Sequence, residues 1–154
     1  MDLNLLQREV AGILGVDKTS VFNWEAGTAT PNLRALPKVI EFLSYDPRPP
    51  GRTVGEKLRR HREGLGLSWD ETAHLMGVDP ATVSKWERQP DSRQNYISIP
   101  KIAAFLGGSP FASPESPAER IPQTRLLQGL TQQEFAQKLG VNQRRVSECE
   151  RGEQ

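Results

Sequence analysis

The chain has one cysteine, Cys149, which excludes an internal disulfide. No apolar run approaches the roughly 18 residues that a membrane-crossing helix requires, and no secretory signal opens the sequence; a cytoplasmic location is therefore expected. Its two histidines, His61 and His74, are far apart in register and lack cysteine or carboxylate neighbours at ligand spacing. Both are expected on polar helix faces, with no metal between them. A Gly-rich phosphate loop, a nucleophile elbow and a zinc motif are all missing, and acidic residues alternate with basic ones as they do on solvated helices. Neither an enzyme, a cofactor nor a small-molecule substrate is expected. Charge of one sign is also scarce, since 20 Lys and Arg face 19 Asp and Glu for a net charge of +1. That balance gives little support to non-specific nucleic-acid binding, whose affinity comes mostly from basic side chains neutralising phosphates.

What is present is a pattern. Residues 130–152, LTQQEFAQKLGVNQRRVSECERG, spell two short helices joined by a glycine turn. Thr131 followed three residues later by Glu134 is a capping box, in which hydroxyl and carboxylate each satisfy an orphan backbone donor at a helix start. Phe135, Ala136 and Leu139 give that helix one apolar stripe. Gly140 can take the left-handed conformation of a helix exit, after which Val141 is expected to turn back into the core. Asn142 suits the N-cap of a second helix, with Val146 and Cys149 as its apolar positions. Two helices with a short glycine turn match a helix-turn-helix, whose second helix enters the DNA major groove.

The pattern occurs three times. In residues 67–88, Ser68 and Glu71 form the capping box, and Ala73, Gly77, Val78, Val83 and Trp86–Glu87 stand where Ala136, Gly140, Val141, Val146 and Cys149–Glu150 stand downstream. In residues 6–27 the matching positions are Ala11, Gly15, Val16, Val21, Trp24, Glu25 and Gly27, with Leu6 in place of the capping hydroxyl. The turn glycines Gly15, Gly77 and Gly140 are 62 and 63 residues apart, a regularity that argues for duplicated units. The alanines, valines and glycines are most simply core and turn residues, which leaves any DNA contact to outward positions.

The stretch from Leu130 through Thr131, Gln132, Ala136, Leu139, Gly140, Val141, Val146 and Ser147 to Glu150 and Gly152 resembles the phage Cro and repressor-like (XRE) DNA-binding family. Cys149 departs from it, because that family has an aromatic or aliphatic residue there. The resemblance implies an all-α fold of tandem lambda-repressor-like helix-turn-helix bundles. It also implies an ion pair between an Arg of helix 1 and the Glu that closes the recognition helix. Those pairs would be Arg62 with Glu87 and Arg125 with Glu150, while Glu25 has no counterpart upstream.

Along the chain, residues 1–48 form a first unit without helix 1, residues 49–108 a complete unit, and residues 120–154 a third unit that stops before helix 4. The glycine, serine and proline of residues 107–116 read as a flexible tether, within a linker placed at 109–119, and the third unit opens near Pro122 with a short helix 1. Pro37 and Pro100 mark first turns of the helices that close the first and middle units. A missing beginning and a missing end point to a fragment of a longer reading frame in preference to completion by another chain.

The resemblance assigns DNA-facing residues by position: the recognition helix meets base edges, and the start of helix 2 meets phosphates. In the third unit these are Gln143, Arg144 and Glu148, with Gln132 on the backbone; in the first they are Lys18, Thr19 and Asn23, with Gln7. Gln and Arg offer bidentate geometry to adenine and guanine edges. The middle unit offers Pro80, Ala81, Lys85 and Trp69, a poor set for reading bases, but its helix 1 carries Arg59 and Arg60 for backbone affinity. Net charges of −1, +2 and 0 over residues 1–48, 49–109 and 110–154 favour the middle unit electrostatically. The expected partner is double-stranded DNA, bound by a sequence-specific regulator, with a homodimer left open because tandem units can replace the usual pairing. The alternatives are an antitoxin-like protein-interaction module with little DNA affinity, and a decayed chain without a partner.

Overall fold

A computed structural model describes residues 4–88 and 96–153. Among these residues lie ten α-helices and no strand. Helices α1 (Gln7–Leu14), α2 (Lys18–Glu25) and α3 (Leu36–Leu43) form the first unit. The middle unit has four, α4 (Val54–Gly64), α5 (Trp69–Met76), α6 (Pro80–Arg88) and α7 (Ser98–Leu106). The third has α8 (Pro117–Leu127), α9 (Gln132–Leu139) and α10 (Gln143–Glu150). The helix-turn-helix pairs are thus α1–α2, α5–α6 and α9–α10.

The local chemistry that starts and stops these helices is the chemistry the sequence carries. The Ser68 and Thr131 hydroxyls accept the backbone N–H of Glu71 and Glu134 at 3.2 and 3.1 Å. Those carboxylates accept the N–H of Ser68 and Thr131 in return, at 2.7 and 2.8 Å. With leucine at the cap of α1, only the second half of the exchange is made, from Leu6 N–H to Glu9 at 2.7 Å. Gly15, Gly77 and Gly140 all adopt left-handed backbone, with φ of 65°, 61° and 68°. In each unit the following valine then closes the helix with one bond, from Val16, Val78 and Val141 N–H to the carbonyls of Ala11, Ala73 and Ala136, at 3.0 Å in all three. Asp17 and Asn142 cap the recognition helices by accepting the N–H of Thr19 and Arg144 at 2.7 and 2.8 Å.

The largest core belongs to the middle unit, where Leu58, Ala73, Met76, Val83, Trp86 and Ile102 are buried together, with Val54, Val78, Phe105 and Leu106 packed around them. Helix α4 approaches α6 so closely that a Cβ on Gly55 would collide with the Trp86 carbonyl. In the third unit the core shrinks to Phe135, Ala136 and Val146, flanked by Ile121 and Leu130.

Five expectations need correction. Residues 107–116 are not a free tether: Pro110 is fully buried, its carbonyl accepts Lys57 Nζ at 2.7 Å, and the Ala112 carbonyl accepts Gln123 Nε2 at 3.1 Å. Helix α8 begins at Pro117, capped by Ser116, so the linker placed at 109–119 overlaps a helix as long as α4, and Pro122 lies inside that helix. Leu139 is 56% exposed and Val141 39%, whereas Met76, the counterpart of Leu139, is 8% exposed. The cause is that α7 packs on α4 and α5 in the middle unit, while no described helix occupies that place on α8 and α9. Cys149, where the middle unit has buried Trp86, is exposed as well. Finally, His61 does not face water alone, because its ring meets Phe105 edge-on at 5.1 Å.

Candidate nucleic-acid interface

Each recognition helix packs mainly on helices of its own unit: α2 on α1, α6 on α4 and α5, α10 on α8 and α9. The opposite face stays open. On α10, Gln143, Arg144 and Arg145 are exposed and Ser147 and Glu148 half-buried, while Val146 alone is buried. On α2, Lys18 and Thr19 are exposed, Asn23 is half-buried and Val21 faces inward. On α6, Ala81 and Lys85 are exposed and Pro80 is half-buried. Residues i, i+4 and i+7 share a helix face, so Arg144, Glu148 and Arg151 line one stripe, matched by Ala81, Lys85 and Arg88 in the middle unit.

Two of those cations, Arg88 and Arg151, were not among the residues singled out from sequence. The signal was present as seven-residue spacing from Ala81 and Arg144. Arg88 lies over the Trp69 ring at 5.0 Å, and Arg151 pairs with Glu153 at 3.0 Å on the surface. Arg145 takes a different direction, lining a groove on the α8 side with Ile121 and Cys149.

Behind each open face runs one repeated hydrogen bond. The first residue of helix 2 donates to the glutamate that closes the recognition helix: Gln7 to Glu25 at 2.6 Å, Trp69 Nε1 to Glu87 at 2.9 Å, and Gln132 to Glu150 at 2.7 Å. Gln7 and Gln132 each spend one amide hydrogen this way and keep the other for an outside acceptor. In the middle and third units the same glutamates also receive the helix 1 arginine, Arg62 Nε to Glu87 and Arg125 Nε to Glu150, both at 2.6 Å. The resemblance implied these pairs, and they fix the angle at which the recognition helix leaves the bundle. Arg62 adds a bond to the Leu67 carbonyl at 2.8 Å, Arg125 one to the Leu130 carbonyl at 3.0 Å.

The remaining candidates divide by what they already hold. Arg60 is occupied in the protein, pairing with Asp46 at 3.0 Å and donating to the Arg48 carbonyl at 2.6 Å. Arg59 is exposed and pairs with Glu63 at 2.9 Å. Arg144 pairs with Glu148 at 2.8 Å across one helical turn while 84% exposed, a bond that an incoming acceptor can exchange at little cost. Thr19 shares a hydrogen bond with Asp17. Lys18, Lys85 and Gln143 carry no side-chain bond among the described residues.

The helix 2 starts are electrically occupied too. Glu71 is held at about 2 by the Ser68 backbone N–H, with the Ser68 hydroxyl and the Arg34 guanidinium adding to it. The Thr131 N–H and hydroxyl hold Glu134 below the usual carboxylate range. Both are ionised at neutral pH and offset the positive poles of α5 and α9.

A family model described as Helix-turn-helix matches residues 2–49, 58–112 and 123–154. No curated protein and no solved structure matches the chain. No described helix is long and apolar enough to cross a membrane. With the family pattern covering most of the sequence and each copy folding as the two-helix unit it describes, the chain belongs to the XRE/Cro-like helix-turn-helix family of DNA-binding regulators, its fold written three times.

Proposed function

We propose that the chain is a sequence-specific transcriptional regulator in which α2 and α10 read bases and the middle unit adds affinity for the DNA backbone. The observation that carries this is the exposed, polar N-terminal half of α10, where Gln143 and Arg144 stand clear of the core on a helix locked from behind by Glu150. Lys18 and Asn23 occupy the corresponding turns of α2. On α6, Lys85 is a compact point charge and Arg88 lies over the Trp69 ring at the C-terminal end of the helix, away from the N-terminal turn that would meet base edges, which suits phosphate. Selection of bound sequences from random DNA is the direct test, and recovery of no consensus overturns the proposal. On the selected site, Arg144→Ala weakens binding by about 1–3 kcal/mol while changing non-specific affinity far less, as fluorescence anisotropy would show. Equal losses on both DNAs would reassign Arg144 to phosphate.

A protein-partner function is favoured by one observation, the net charge of +1. Salt separates the two. Binding through several phosphates falls steeply as salt rises, whereas an apolar protein contact does not.

A further inference from the structure

The units are joined by a contact made twice. Gly66, just after α4, carries φ of 69°, and a Cβ there would lie 2.9 Å from Pro37 Cγ and 3.2 Å from the Leu33 carbonyl. Gly129, just after α8, carries φ of 67°, and its Cβ would lie 3.1 Å from Pro100 Cγ and 3.7 Å from the Tyr96 carbonyl. Each partner in the second contact stands 63 residues after its counterpart in the first. In both, the turn that follows helix 1 of one unit sits on the first turn of the helix closing the unit before it. That turn is made rigid by proline, and the glycine allows its close approach: a side chain at position 66 would crowd both the Pro37 ring and the Leu33 carbonyl, and one at position 129 the Pro100 ring.

Both contacts are also strapped. At the first, Arg34 donates to the Gly66 carbonyl at 3.0 Å and pairs with Glu71 at 3.0 Å, while Arg48 bridges Asp46 and Glu63 at 2.8 and 3.0 Å. Near the second, the connecting segment is anchored at both sides, to α4 by buried Pro110 and its bond from Lys57 and to α8 by the bond from Gln123 to the Ala112 carbonyl. The same glycine–proline contact, displaced by 63 residues, thus joins α4 to α3 and α8 to α7, as in repeat proteins whose neighbours meet through a recurring interface.

We propose that Gly66 with Pro37 and Gly129 with Pro100 are positioning residues that hold the three recognition helices at a fixed, repeated stagger. A single chain then reads one contiguous, non-palindromic DNA site whose subsites must keep their spacing. This rests on the DNA-reading function proposed above and adds a rule for the arrangement of the site.

The test has two arms. Spin labels on the native Cys149 and on an introduced Ala29→Cys report the distance between the outer units without DNA. Separately, the site selected by the full chain is compared with one carrying five extra base pairs, about half a helical turn, between subsites. The expected results are a narrow distance distribution and at least a tenfold loss of affinity for the lengthened site. Gly66→Val and Gly129→Val each broaden the distribution and bring the two affinities closer together. Because valine at positive φ strains the fold itself, the Pro37→Ala/Pro100→Ala double variant, with helical content checked by circular dichroism, is expected to do the same. A broad distribution in the unaltered chain, or binding indifferent to the insertion, overturns the proposal alone. Narrow distances with no DNA binding overturn the function beneath it and the proposal together.

Discussion

In the middle and third units the glutamate near the end of the recognition helix joins three helices, taking bonds from helix 1 and from the start of helix 2. Glu87 receives two bonds from Arg62 and one from Trp69, with the Arg62 and Glu87 side chains only 6% and 3% exposed. Removing one partner from a buried pair strands the other charge, so Arg62→Ala is expected to lower stability by about 3–5 kcal/mol in chemical denaturation. Arg59→Ala, whose pair with Glu63 is exposed, should stay within about 0.5 kcal/mol. Equal losses would show that burial is not what gives the inner pair its weight. At Cys149 the thiol replaces the Trp86 ring, and Ala118 stands where Gly55 lets α4 and α6 approach, so α8 and α10 are left with a groove between them.

Elements differ in how well they are held even where their caps are alike, as in α5 and α9. Ser68→Ala removes the α5 cap and should cost about 1 kcal/mol at pH 7. It should also raise the Glu71 midpoint from about 2, which a carboxyl NMR titration would follow. The sign is fixed by linkage. A carboxylate whose folded pKa lies below its unfolded value of about 4.3 contributes stability that is fully present above that value and is lost as pH falls toward 2. Burial separates the units further. The central buried cluster has six apolar residues in the middle bundle and three in the last, so amides of α9 and α10 should exchange with deuterium faster than those of α5 and α6. The reverse order would mean that the open apolar face near Leu139 is covered in solution.

At the scale of the whole molecule, Asp46 couples the first two units. Hydrogen bonding from Arg48 holds its carboxyl below the usual range, with Arg60 adding to the effect, so this contact is complete at neutral pH. Asp46→Asn should uncouple α1–α3 from α4–α7 and split the calorimetric transition, whereas one unbroken transition would show that the Gly66–Pro37 contact with the Arg34 and Arg48–Glu63 bonds suffices without it.

Helix starts, glycine turns and the threefold repeat are legible because each depends on residues close in sequence or at a spacing the repeat supplies three times over, and the two Arg–Glu pairs are legible only through the family resemblance. Spacing could not show that Arg60 turns toward Asp46, that Pro110 is buried, or that Leu139 lies open. Those outcomes depend on which segment packs against which, and so do the seats of Gly66 on Pro37 and Gly129 on Pro100. Caps, turns and periodicity act within a few residues, and so three small helical units with one internal chemistry can be read from the chain alone. Tertiary structure alone decided how those units meet and which polar groups remain free for DNA, because a side chain's partners are chosen only when distant helices close on it.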